Sequence, residues 1–234
     1  MGIFAKPLGY LLTWLYNMIG GYGIALVVLT LIVKFALYPL YAKQIKTTTN
    51  MTKLQPKIRE IQQKYAKNKE LMNQKMAELY EKEGGSMYGG CLPMVVQMFV
   101  IMGLFALLRN PMLYINDDNM LFAIHESFLW IPDLAQPDKW ILPIVSGIAT
   151  FIAFNFSQTS SAGAPGADQA NAMMKIMKYF FPLMILMMAR SYPAGLAVYW
   201  SVSQIVQIFY NIRFAHLKKK ILGDDKKKKK PARA

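Results

Sequence analysis

A chain of 234 residues that is 54% hydrophobic, rich in methionine and yet charged +14 falls outside the ordinary soluble class. The charge is segregated: ten of the 27 basic residues lie in 42–88 and ten in 211–234, leaving the apolar runs nearly bare. A single cysteine, Cys91, excludes an intrachain disulfide scaffold, and the two distant histidines offer no zinc-ligand spacing.

Residues 1–19 are apolar and aromatic but interrupted by Pro7 and Gly9. Trp14 and Tyr16 suit a helix lying along the outer membrane surface. With one lysine and no small-residue cleavage site, the stretch does not read as a cleavable signal. Lys6 stands where N-myristoylation needs Ser or Thr.

Residues 20–41, GGYGIALVVLTLIVKFALYPLY, form the first predicted span. About 20 residues at a 1.5 Å rise cross the ~30 Å hydrocarbon layer. Lys34 lies well inside this run, where an ammonium should face protein or water rather than lipid. Stepping from Thr30 reaches Lys34, Tyr38 and Tyr41 on one helix face. Two readings stay open: that face walls a wet cavity, or Lys34 snorkels to the headgroups between two interfacial tyrosines.

Residues 42–86 read as a cytoplasmic helical hairpin. Met51, Leu54, Ile58, Ile61 and Tyr65 make one amphipathic stripe, with Pro56 near its first turn. Ala66–Lys69 turns, and Met72, Met76 and Leu79 continue a second stripe. Ten bases against five acids here suggest an anionic neighbour, either lipid headgroups or RNA.

Four further spans are predicted at 91–109, 140–158, 175–190 and 192–212, with Pro193-Ala194-Gly195 a tight hairpin between the last two. The segment 110–139 carries five acids and one base, and is placed outside the membrane. A Gly/Ala/Ser linker, 159–174, and a basic tail, 213–234, ending in a disordered arm, complete the chain. The positive-inside rule puts hairpin and tail in the cytoplasm, which five spans with the N-terminus outside satisfy.

Polar residues recur inside the spans. Ser146, Thr150 and Ser157 fall within about 40° of one another on a helical wheel. Trp200, Gln204 and Gln207 share a face of the last span, with Tyr199 and Ser203 beside it, and the second span has Gln97. Such residues commonly join helices in membranes. A cavity reading rests on Lys34 together with the glutamine pair, whose hydrogen-bonding capacity is hard to satisfy without water. No enzyme chemistry emerges: HExxH and phosphate-binding glycine loops are absent, and no cofactor is expected. No Asp or Glu lies within a span, which argues against a proton-coupled pump.

The segments GGYGIALVVLTLIVKFALYPL, LQPKIREIQQKY, GGCLPMVVQM, FLWIPDL…DKWILPI and FPLMILMMARSYPAGLAVYW, in this order, resemble the YidC/Oxa1/Alb3 membrane-protein insertases. The resemblance covers almost the whole chain and is nearest the compact Gram-positive form. It implies an all-α integral membrane protein with five transmembrane helices around a hydrophilic groove, open to the cytoplasm and laterally to lipid. A cytoplasmic helical hairpin and an N-terminal interfacial helix go with that fold. The family's groove cation, usually Arg, corresponds to Lys34, which keeps the charge without the bidentate fork. Thr30 and Trp200 correspond to positions that contact the nascent span. Three departures stand out: Met87-Tyr88 replaces an Asn-Pro before GGC, Phe99 replaces a proline, and the N-terminus shows no lipoprotein signal.

The function so implied is insertion and folding of new membrane proteins in the bacterial cell membrane without nucleotide hydrolysis. Lys34, Thr30, Tyr38, Gln97, Ser146, Thr150, Trp200, Ser203, Gln204 and Gln207 are the expected groove residues. Lys218, Lys219, Lys220, Lys226, Lys227, Lys228, Lys229 and Lys230 are expected to meet ribosomal RNA or anionic lipids. Expected partners are nascent membrane proteins, the bilayer, the ribosome and the Sec translocon. A small-solute channel or transporter, and an assembly factor that does not insert, are the other classes. The apolar run Gly23–Leu29 beyond Thr30 argues against a through-pore.

Overall fold

A computed structural model describes residues 2–82, 92–115, 117–161 and 167–228. Within those helices, the side chains of 44–48, 50–53, 55, 92–97, 157–161, 167–175 and 217–228 lie outside the described set. The described residues are helical throughout apart from turns and one isolated two-residue bridge. Eight α-helices follow in order: α1 Gly2–Ile19, α2 Tyr22–Lys64, α3 Lys69–Lys82, α4 Leu92–Arg109, α5 Asp118–Ala123, α6 Ile141–Ser161, α7 Ala167–Ala189 and α8 Ala194–Lys228.

Several helices run past the boundaries expected from sequence. Pro7 sits inside α1, which continues unbroken through it. A proline there removes one helix hydrogen bond, and the apolar packing of Ala5, Leu12 and Leu15 outweighs that loss. The first span and the first arm of the hairpin are one helix, α2, of 43 residues with Pro39 and Pro56 inside it. Pro56 therefore does not sit in a first turn. Nothing between the two prolines breaks a helix. The expected linker 159–174 is helical at both described ends, closing α6 and opening α7. The basic tail continues α8 as far as Lys228. Of the arm 224–234 expected to be disordered, 224–228 are helical and the rest lies outside the described residues.

Helix α8 packs on α2, α4, α6 and α7, while α1 packs on α4 and α2. The main apolar cluster joins Leu12 of α1, Leu26 and Leu29 of α2, Leu104 and Leu107 of α4, Met120 of α5, Leu134, Leu142 of α6 and Tyr199 of α8. A second, aromatic cluster lies further along α2 and α8, formed by Tyr41, Tyr210 and Phe214. A third holds the hairpin together, with Leu54 and Ile58 of α2 against Met76 and Tyr80 of α3. By length and apolarity, one described segment, Tyr22–Lys43, suffices to cross a membrane; Met98–Arg109, Ile141–Phe156 and Ile176–Ala189 are shorter apolar helices.

At one end of the bundle, residues 126–136 fasten the end of α1 to the start of α2 and hold the start of α8. The Glu126 carboxylate accepts from the Tyr16 hydroxyl and from the main-chain N–H of Tyr22, each at 2.8 Å. It thereby satisfies one of the free donors at the positive end of α2. The Phe128 ring lies so close over Gly23 that a side chain there would collide with it. The carbonyls of Leu134 and Gln136 accept from Gly195 and Ala194, at the start of α8. Between Phe128 and Ile131 the chain reverses through Leu129, whose φ of 55° is a left-handed conformation that costs a branched residue roughly 1 kcal/mol.

Candidate functional site

Lys34 lies on α2 between the main apolar cluster and the aromatic cluster, and is only 3% exposed. Its ammonium is 3.4 Å from the Gln207 side-chain oxygen on α8 and 5.4 Å from the centre of the Tyr41 ring. Its main-chain carbonyl accepts from the Tyr210 hydroxyl at 3.2 Å. Tyr38, half-buried, lays its ring edgewise on Tyr210 at 5.3 Å and beside Phe214 at 5.9 Å. Ring faces and an amide oxygen are weak, adjustable partners for an ammonium compared with a carboxylate. Inside the bundle a low dielectric strengthens the attraction of a charged Lys34 for an anion.

The other polar residues fall into two sets. Thr30 is fully buried, and its hydroxyl donates within its own helix to the Leu26 carbonyl at 2.7 Å. Between α6 and α8, Ser146 and Ser201 share a hydrogen bond of 2.8 Å, and the Trp200 indole N–H donates to the Thr150 hydroxyl at 2.9 Å. Thr150 in turn donates to the Ser146 carbonyl at 2.7 Å. These are helix-joining contacts of the kind small polar residues make in membranes. Trp200 also lines an apolar cavity of about 240 Å³ between α4, α7 and α8, beside Ile101, Phe105, Ile185, Met188 and Leu196.

Gln207 links the two sets. Its side-chain N–H donates to the Asn211 oxygen at 3.1 Å, and the Asn211 N–H donates to the Ala153 carbonyl of α6 at 3.1 Å. Ser203 is buried and Gln204 half-buried on α8, and neither takes part in these pairs. The side chains of Gln97, Lys218–Lys220 and Lys226–Lys228, and all of Lys229 and Lys230, lie outside the described residues. Ser201, Tyr210 and Asn211 went unremarked in the sequence. Asn211 stands one helical turn beyond Gln207, so carrying the polar face of α8 a turn further would have found it. Among the described residues no cluster of His, Cys, Asp or Glu could hold a metal ion.

The bundle thus joins one segment long and apolar enough to cross a membrane with a lysine packed inside it. The family model described as 60Kd inner membrane protein matches residues 14–220, and the chain belongs to that family. Relatives called membrane protein insertase YidC occur in Fusobacterium nucleatum, 35% identical over 86% of this chain and 89% of theirs, and in Oceanobacillus iheyensis, 36% identical over 90% and 81%. A Bacillus anthracis protein called membrane protein insertase YidC 2 is 36% identical over 96% of this chain and 85% of its own. A crystal structure titled as an active YidC insertase with its first transmembrane domain resolved superposes with a TM-score of 0.60 at 28% identity. That match covers 89% of this chain but 45% of the solved one, so the chain spans under half the length of that neighbour.

Proposed function

We propose that the chain is a membrane-protein insertase and chaperone of the bacterial cell membrane, built from five spanning helices with the N-terminus outside. The spans are 20–41, 91–109, 140–158, 175–190 and 192–212, with hairpin and tail in the cytoplasm. The relatives' printed names and the segregation of basic from acidic segments support this reading. The observation that carries the mechanism is Lys34, an ammonium held inside the bundle by an amide oxygen and an aromatic ring.

On this reading the substrate's short hydrophilic tail enters a groove from the cytoplasmic side and its carboxylates approach Lys34. The 3.4 Å contact with Gln207 is long, so a carboxylate can displace it without breaking a strong bond. Thr30, Tyr38, Gln97, Trp200, Ser203 and Gln204 line the substrate's path, while Ser146 and Thr150 hold its wall. The residues 126–136 close the outer end. The substrate's apolar helix then leaves for lipid, driven by its own transfer free energy, so no nucleotide is needed. Lys218–Lys220 and the lysines of 226–230 attract ribosomal phosphates and anionic lipid, bringing translating ribosomes and a Sec translocon close.

The test is reconstitution of the pure protein in liposomes with a single-span substrate bearing an acidic outer tail, comparing wild type with Lys34→Arg, Lys34→Gln and Lys34→Glu. Insertion is expected with arginine and lost with glutamine and glutamate. Normal insertion by all three folded variants would remove Lys34 from the mechanism. Failure of wild type with a competent substrate would point to an assembly factor that does not insert.

A further inference from the structure

We infer that Asn211 is a positioning residue that sets which atom of Gln207 faces Lys34, and that Ala153 fixes the polarity of the whole chain. A main-chain carbonyl can only accept a hydrogen bond. The Ala153 carbonyl therefore takes the NH₂ end of the Asn211 amide, at 3.1 Å, which turns the Asn211 oxygen towards Gln207. That oxygen must receive a donor, so the Gln207 amide presents its NH₂ to Asn211, again at 3.1 Å. The remaining end of Gln207 is its oxygen, and this is the atom 3.4 Å from the Lys34 ammonium. Each amide has one acceptor end and one donor end, so the order imposed at Ala153 passes through both without ambiguity.

If the Gln207 amide turned over, its NH₂ would meet the ammonium, donor against donor; if Asn211 alone turned, its NH₂ would meet that of Gln207 and its oxygen the Ala153 carbonyl. Asn211 is 7% exposed, so water is a poor substitute for its partners. The chain also crosses three helices, α6, α8 and α2, and so ties the place of the cation to the α6–α8 packing. It rests on the reading above, in which the Lys34 charge receives acidic tails.

The experiment compares insertion into liposomes of two substrates that differ only in tail charge, acidic and neutral, by wild type, Asn211→Leu, Lys34→Gln and the double variant. Asn211→Leu frees Gln207 to turn its NH₂ towards the ammonium and push it from its place, so the acidic-to-neutral ratio is expected to fall several-fold. It should change nothing further in the Lys34→Gln background. An equal fall for both substrates, an unchanged ratio, or an additive effect in the double variant would make Asn211 a packing residue and overturn the inference. If Lys34→Gln itself leaves the ratio unchanged, the charge reading falls and this one with it. Should Asn211→Leu not accumulate, Asn211→Ser decides in its place: its hydroxyl is too short to reach both Ala153 and Gln207, and the same loss of ratio is expected.

Discussion

Helix α8 meets two neighbours through polar contacts of opposite character. Towards α6 the partners are neutral and the bonds short, 2.8 Å for Ser146–Ser201 and 2.9 Å for Trp200–Thr150. Towards α2, beside the Tyr210 hydroxyl's 3.2 Å bond to the Lys34 carbonyl, Gln207 meets an ammonium at 3.4 Å. Hydroxyls and an indole matched one to one fix two helices in register. A cation given an amide oxygen and a ring is held, yet still attracts a better anion. On the proposed function, the first seam serves structure and the second exchange.

Four substitutions would break or sharpen that contrast. The largest effect is expected from Lys34→Glu. A carboxylate held ~6 Å from an ammonium at an effective dielectric of ~20 is worth about 3 kcal/mol, so insertion of an acidic tail should fall roughly a hundredfold. Liposome insertion rates would show it, and a fall of under about threefold would deny the exchange role. Next comes Gln207→Glu, which places a permanent carboxylate beside the ammonium. It should slow acidic tails about tenfold while thermal stability is kept, the reverse of ordinary damage. Ser201→Val, on the other seam, should cost about 1 kcal/mol of stability by thermal unfolding and leave the acidic-to-neutral insertion ratio unchanged.

The smallest effect concerns Asp138, outside the spans. Burial pushes its carboxyl up, but main-chain N–H groups of Leu142 and Trp140 and the Trp130 indole together hold it below the usual carboxylate range. A depressed folded value gives stability that is present above the unfolded value and lost as pH falls through the folded one. Thermal stability of wild type should therefore decline below about pH 4, and Asp138→Asn should flatten part of that decline. An unchanged acid limb in the variant would show that other carboxylates govern it.

What could be read from sequence was whatever a local period encodes. The stripe through Leu54, Ile58 and Met76 marks side chains that the fold buries in the hairpin, and Lys34 stood out because a charge interrupts an apolar run. Two prolines misled, since Pro7 and Pro56 each remove a single hydrogen bond that packing can outweigh. Long-range partners were illegible for a different reason. Glu126 caps a helix 104 residues away in sequence, and Asn211 reaches Ala153 over a separation of 58. Helical periodicity reports which face a residue lies on, not which helix will face it.

The continuity of α2 has a mechanical consequence. At 1.5 Å per residue its 43 residues make a rod of about 65 Å, roughly twice the ~30 Å apolar layer. Lys34 and the tip of the hairpin are on the same rod. A load taken at Tyr65, whether from a bound particle or a crowded membrane surface, acts as torque about the fastened end at Tyr22. Pro39 and Pro56, each lacking one hydrogen bond of the ladder, both lie between Tyr65 and the cation.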